Sequence, residues 1–260
     1  MERKSSEQKL SFDFYRGEQT SAVLALPEAA TKKIVLLIHG FMSNKDSETN
    51  LTLTKRFLSK GIATVRLDLF GHGESFGLFQ KLTLSRCLHQ VEGMIAWIKE
   101  NGYEAISLVG SSFGGLIAIH TASKHPELVS LALKCPVSNY PILWQTRLGK
   151  SGMAAWEKDG LFSFIFDDKK GRLEYGFYND LLKVHTYTDA ATIKSPTLIV
   201  HGDADEDVPV DQSIRLYDTL RIMRPQKELV LIPGADHGFE KPEDFNQMIH
   251  RIEEWILLQS

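Results

Sequence analysis

The chain has 260 residues, 43% of them apolar, and a formal net charge of −3. That supplies enough apolar material for one large α/β domain or two small ones. With no dense Lys/Arg face, nucleic acid and anionic membranes are excluded as main partners. The opening residues, Met1-Glu2-Arg3-Lys4-Ser5-Ser6, lead into no apolar h-region, and runs such as Ile34 to Ile38 are far too short to span a bilayer. Neither a secretory signal nor integral membrane contact is expected. Two cysteines, Cys87 and Cys135, sit in apolar-periodic segments without metal-like spacing. They are expected as buried free thiols in a reducing cytoplasm.

Residues 8–26 alternate on either side of Arg16-Gly17-Glu18, which predicts an antiparallel hairpin at one sheet edge. After a polar turn from Pro27 to Lys33, Ile34 to Ile38 is a continuous apolar strand, as in a parallel sheet covered on both faces. It runs into His39-Gly40-Phe41-Met42. Residues 47–60 form a helix ending before Gly61, and Ile62 to Leu67 forms the next strand. The glycine-rich loop Asp68-Leu69-Phe70-Gly71-His72-Gly73-Glu74-Ser75 follows. Leu84 to Glu100 is a long amphipathic helix closed by Asn101-Gly102.

Ile106 to Val109 then reads as a buried strand, and a buried helix runs from Leu116. Between them lies Gly110-Ser111-Ser112-Phe113-Gly114, the Gly-x-Ser-x-Gly pattern in its strand–turn–helix context. A serine at the tip of so sharp a turn needs a strained backbone. Its neighbours two positions away need almost no side chain, because strand and helix nearly touch. Gly110 and Gly114 meet that need. The Ser112 hydroxyl is thereby held at the mouth of a sheet, above a helix N-terminus that favours developing negative charge.

Leu128 to Leu133 is another strand, ending near Cys135-Pro136. The rhythm breaks from Pro136 to Ser195, a stretch too long for a simple connection and rich in aromatic residues. Within it, residues 162–175, through Asp167-Asp168-Lys169-Lys170-Gly171, form a hairpin, and Tyr178 to His185 a helix. The expectation is an inserted cap. About half its aromatics fill its own small core and the rest roof a site; Trp144, Phe162, Phe164 and Tyr178 are the substrate-contact candidates. The sheet resumes at Pro196 to Val200 and ends in His201-Gly202-Asp203-Ala204-Asp205-Glu206-Asp207-Val208-Pro209. A helix (Gln212 to Leu220), a last strand (Glu228 to Ile232), the loop Pro233-Gly234-Ala235-Asp236-His237-Gly238-Phe239 and a closing helix (Pro242 to Leu258) complete the chain. Repeats, low-complexity tracts and linkers are not found.

A nucleophilic serine needs a base and an acid that orients the base. Both are available in loops after strand ends, where an open parallel sheet places its sites. His237 is the base, and the acid is one of Asp203, Asp205 and Asp207. The chain order serine, aspartate, histidine is that of the α/β-hydrolases.

The whole chain resembles the α/β-hydrolase superfamily, through His39-Gly40-Phe41, Asp68-x-x-Gly71-His72-Gly73-x-Ser75, Gly110-x-Ser112-x-Gly114, His201-Gly202-x-x-Asp205-x-x-Val208-Pro209 and Asp236-His237-Gly238-Phe239. Within it, the chain looks most like bacterial cinnamoyl/feruloyl esterases and their monoacylglycerol-lipase relatives. The resemblance implies an α/β class, with a doubly wound, mostly parallel sheet of about eight strands and a cap between strands six and seven. The core would be residues 1–135 and 196–260, and the cap 136–195. It selects Asp205 as the acid and implies Phe113 and Phe41 backbone N–H groups as the oxyanion hole. A His-Gly-Gly-Gly run is missing, so Phe41 is inferred from position. His39 and His201 shape turns in this pattern, and His72 does the same, with no metal role. His89, His120, His125, His185 and His250 read as helix or surface residues.

The expected activity is hydrolysis of a small-molecule carboxylic ester, without cofactor or metal; a homodimer is left open. Thioesterase and peptidase activities use the same machinery. Lys150, Lys158, Lys169 and Lys170 would offer a thioesterase for coenzyme A esters a basic rim. A small-molecule receptor on the same fold is the reading from another class.

Overall fold

The computed structural model describes residues 5–14, 17–166 and 169–259, Phe166 and Lys169 by their backbone alone. Met1 to Lys4, Arg16 and the Asp167-Asp168 turn, on which sequence expectations fall, lie outside the described residues. Strand β1 (Ser6–Asp13) pairs antiparallel with β2 (Gln19–Leu26), as the alternation requires. Then come β3 (Lys33–Ile38), helix α1 (Glu48–Ser59), β4 (Ala63–Leu67), α2 (Leu84–Glu100), β5 (Ala105–Ser111), α3 (Phe113–Lys124) and β6 (Ser130–Lys134). A single 3-10 turn at Phe79–Lys81 precedes α2. Ser47 caps α1 and Thr83 caps α2, each side chain accepting an N–H of the first turn.

An excursion follows β6: α4 (Tyr140–Asp159), the hairpin β7 (Leu161–Phe166) and β8 (Lys169–Glu174), α5 (Gly176–Leu181) and α6 (Thr186–Ala190). Then come β9 (Thr197–Gly202), α7 (Asp211–Thr219), β10 (Lys227–Ile232) and α8 (Pro242–Gln259). The main sheet has eight strands in the order β1-β2-β4-β3-β5-β6-β9-β10, while β7 pairs with β8 in a separate ribbon. From β4 to β10 all neighbours are parallel, and β2 meets β4 antiparallel. This is the doubly wound α/β architecture expected from the sequence.

Both faces of the sheet's central strands are dry. In β3, Ile34, Leu36 and Ile38 pack into the layer of α2 and α3, and Val35 and Leu37 into the layer of α1 and α8. Two-sided burial explains why β3 reads as a continuous apolar run rather than an alternating one. The excursion sits across the carboxyl ends of the strands and is tied to the core by part-buried polar contacts. Ser85 donates to Asp180 from its N–H at 2.7 Å and its Oγ at 2.8 Å. His120, at the centre of α3, donates from Nδ1 to Asp189 at 2.6 Å. His120 is therefore a buried inter-element partner rather than an incidental helix residue. Among the described residues no helix is long and apolar enough to cross a membrane.

Candidate active site

The turn between β5 and α3 has the conformation its glycines foretell. Ser112 stands at φ 53°, ψ −113°, outside the regions L-residues favour. A Cβ on Gly110 would lie 2.5 Å from the Gly114 carbonyl oxygen, and one on Gly114 would lie 2.3 Å from that of Ile38. Strand and helix can approach this closely only through glycine. Backbone bonds hold the strain. Ser112 N–H donates to Lys134 O at 2.8 Å, and Ser112 O accepts from Gly115 at 2.9 Å and Val137 at 3.1 Å. Phe113 is the first residue of α3, so its N–H has no partner within the helix.

The loop after β3 lies against the serine: a Cβ on Gly40 would sit 3.2 Å from Ser112 Cβ. Two neutral histidines hold that loop. His39 donates from Nδ1 to Gly40 O at 2.8 Å and accepts Leu69 N–H at 3.0 Å. His72 donates to Phe70 O at 2.9 Å and accepts Met42 N–H at 3.2 Å. Burial, chiefly, lowers their pKa values to about 3 for His39 and about 4 for His72. Asp68 completes the brace, accepting Lys45 N–H at 2.7 Å and bonding its ammonium at 2.9 Å.

His237 and Asp205 come from the loops after β10 and β9. A Cβ on Gly202 would lie 2.2 Å from Ala235 O, so glycine lets these two loops pack together. His237 Nδ1 donates to Asp205 Oδ2 at 2.6 Å, which leaves Nε2 for the cavity. The rival aspartates are engaged elsewhere. Asp203 accepts Gly234 N–H at 2.6 Å, and Asp207 pairs with Arg147 at 2.8 Å.

Asp205 has a second histidine that the sequence reading assigned only to turn shape. His201 Nε2 lies 3.0 Å from Asp205 Oδ2 and 2.9 Å from Val208 O; both are acceptors, so Nε2 carries the proton. Its Nδ1 then accepts from Ser213 Oγ at 2.6 Å. Burial would raise the Asp205 pKa. The bonds from His201, His237 and Val208 N–H outweigh it and hold the carboxyl well below the usual carboxylate range. The signal available was the i, i+4 spacing of His201 and Asp205 across a tight loop. Cys135 completes a cluster with these two, their ligand-type atoms all within 4.8 Å of one another. The Cys135 thiol is pushed up by burial, and His201 and Asp205 are saturated with protein hydrogen bonds. The cluster fits a scaffold for the acid better than a metal site.

Ser112 and His237 line one cavity of about 530 Å3. Phe41, Val137, Tyr140, Leu143 and Val208 give it an apolar side. Lys134, Arg147, Glu206, Asp236 and Glu240 supply charges, of which only Asp236 stands in a motif of the sequence analysis. Trp144, Phe162, Phe164 and Tyr178, the expected substrate contacts, are not among its lining residues. Trp144 is buried, with its ring centroid 5.2 Å from that of Trp156. Phe162 stacks on Phe164 at 6.0 Å, and Tyr178 accepts from Gln145 at 2.6 Å. Phe162 and Tyr178 pack within the excursion, whereas Trp144 and Phe164 also lie behind the cavity wall, their ring centroids 6.2 and 5.7 Å from that of Phe41; composition does not say which way an aromatic ring points. The wall is instead built by Tyr140, Leu143 and Arg147, one face of α4. Lys150 and Lys158 are exposed on α4, Lys170 lines a separate groove, and the Lys169 side chain lies outside the described residues.

A serine elbow, a histidine–aspartate pair and a parallel sheet in this order define an α/β-hydrolase. The chain belongs to the prolyl oligopeptidase family, whose model matches residues 50–259. Its similarity to known proteins spans nearly its whole length. It is 25% identical to the mouse (Mus musculus) mitochondrial palmitoyl-protein thioesterase ABHD10 over 250 residues, covering 89% of this chain and 80% of that protein. The ferulic-acid-bound structure of Est1E from Butyrivibrio proteoclasticus superposes with a TM-score of 0.84 at 24% identity, covering 96% and 98% of the two chains. A monoacylglycerol lipase from Paleococcus ferrophilus does so with a TM-score of 0.74 at 21% identity, covering 98% and 99%.

Proposed function

We propose that the protein is a serine carboxylic-ester hydrolase acting on small to medium acyl or aromatic acids. The observation that carries this reading is the 2.6 Å bond from His237 Nδ1 to Asp205, beside a serine held at φ 53° in the same cavity. His237 Nε2 takes the Ser112 proton as Oγ attacks the ester carbonyl. The carbonyl oxygen becomes an oxyanion, held by the Phe113 N–H at the start of α3 and the Phe41 N–H of the facing loop. The imidazolium, steadied by Asp205, returns the proton to the departing alcohol. Water, activated by the same histidine, then releases the acid from the acyl-enzyme. Residues 136–195 act as the cap, and Phe41, Val137, Tyr140 and Leu143 take the acyl group on the apolar side.

The same machinery cleaves thioesters and amides. The mouse thioesterase relative supports the first, and the family supports the second. A graded p-nitrophenyl ester series from acetate to laurate, run beside an acyl thioester and an aminoacyl p-nitroanilide, ranks the three. Ester turnover is expected to dominate and to fall at least about a thousandfold in Ser112→Ala. Turnover surviving in that variant overturns the assignment of the nucleophile.

A further inference from the structure

Ser43 lines two hollows. One is the reaction cavity; the other is a groove of about 470 Å3 that adjoins it at Ser43 in the loop after β3, walled by Met42, Leu78, Phe79, Lys170 and Arg172. Lys170 and Arg172 are two apart on β8 and so share a face. Among the described residues neither makes an ion pair or side-chain hydrogen bond; Glu174, next on the same face, accepts from Gln80 of the groove wall at 3.3 Å, so two unpaired cations face one hydrogen-bonded carboxylate. His72, also in its wall, is neutral at pH 7, with its pKa lowered to about 4 by burial above all.

The reaction cavity has the opposite electrostatics. Its wall carries Glu206, Asp236 and Glu240. Its Arg147 is tied to Asp207 at 2.8 Å, and its Lys134 has Asp205, Asp236 and Glu48 as charged neighbours. An anion is therefore disfavoured in the cavity and favoured in the groove beyond Ser43.

We propose that this groove is the leaving-group subsite, where Lys170 and Arg172 select esters or thioesters whose alcohol or thiol carries an anionic group, phosphate or carboxylate. The proposal rests on the serine-hydrolase reading above. Ser112 Oγ forms the new bond to the acyl carbon while the carbon–oxygen or carbon–sulfur bond breaks. His237 delivers the proton to the departing atom. The anionic group stays chemically unchanged and only anchors the leaving half. Guanidinium fits a carboxylate or phosphate two-point, and the lysine adds a second charge.

The test compares kcat/KM for butyryl-coenzyme A (phosphates), S-butyrylglutathione (carboxylates) and neutral p-nitrophenyl butyrate, in the wild type and in Lys170→Ala/Arg172→Ala. The ratio of anionic to neutral kcat/KM is expected to fall about tenfold in the double variant at low salt, as for two exposed charge pairs, and the difference to shrink as salt rises. Lys60→Ala, a surface cation at the far end of α1, leaves the ratio unchanged. A larger fall for coenzyme A assigns phosphate, and a larger fall for glutathione assigns carboxylate. An unchanged ratio for both overturns the subsite. Absence of turnover of all three by the wild type overturns the hydrolase reading instead. Titrating free coenzyme A and glutathione into Ser112→Ala, with and without the double substitution, then decides the subsite. Binding weakened about tenfold supports it; undetectable or unaltered binding overturns it.

Discussion

The Asp205 side chain is wholly buried, yet it stays charged because four donors converge on it: His237 Nδ1 at 2.6 Å, His201 Nε2 at 3.0 Å, and the N–H groups of Asp207 at 2.9 Å and Val208 at 2.8 Å. In the proposed mechanism His201 is a positioning residue, reaching the reaction only through Asp205. In His201→Phe the carboxylate loses one donor and becomes a stronger acceptor for the His237 N–H, so the protonated base is favoured and the acid limb of kcat/KM moves to higher pH. The rate falls roughly tenfold. Stability falls by about 1–3 kcal/mol, since Asp205 and Ser213 each lose a buried partner. An unshifted pH–rate profile with an ordinary stability loss would reduce His201 to packing. At this scale Ser112 and His237 were legible because glycine and proline punctuate their turns. The choice among Asp203, Asp205 and Asp207 was not legible from composition. It depends on the loop path that sends Asp203 to Gly234 N–H and Asp207 to Arg147.

The elements are set by how closely they pack. Gly114→Ala would put a Cβ 2.3 Å from Ile38 O and 2.4 Å from His39 O, backbone atoms that cannot yield. Gly102→Ala, at φ 81° but in open space, bears only the cost of its dihedral. Thermal unfolding is expected to show Gly114→Ala losing 3 kcal/mol or more, on the order of an overpacked core, and Gly102→Ala about 1 kcal/mol. Similar losses for both would mean that α3 can slide away from β3. Helix α2 was legible because one apolar period runs through it, and α3 and the central parallel strands because they are near-continuous apolar segments covered on all sides. Helix α4 was not. Gly149 at φ 62°, ψ 179° kinks it, and its apolar positions change phase at the break. The face that lines the cavity, Tyr140, Leu143 and Arg147, was hidden with it. The conspicuous aromatics pack on one another and on the back of Phe41.

Across the whole molecule, the loops that shape the site depend on buried neutral histidines. Unfolded histidine titrates near 6.5, whereas burial lowers His39 to about 3 and His72 to about 4. Below pH 6.5 the unfolded chain takes up protons that the native chain excludes. Stability is therefore full above pH 6.5 and declines as pH falls toward 4, with a slope approaching about 2.7 kcal/mol per pH unit for the two groups. Urea unfolding at pH 7, 6 and 5 checks this; constant stability would contradict neutral burial. The class of fold and the position of the excursion between the sixth and seventh sheet strands were legible, because strand and helix alternate cleanly up to Cys135 and again from Pro196. The charge pattern around the cavity was not, because it joins side chains from β6, α4 and two separate loops. In the proposed mechanism Ser112 is a nucleophile activated by His237. A fluorophosphonate labelling experiment with peptide mapping tests it most directly. One adduct per chain, on the peptide containing Ser112 and lost in His237→Ala, is the expected result. An adduct on another serine, or labelling undiminished in His237→Ala, would contradict it.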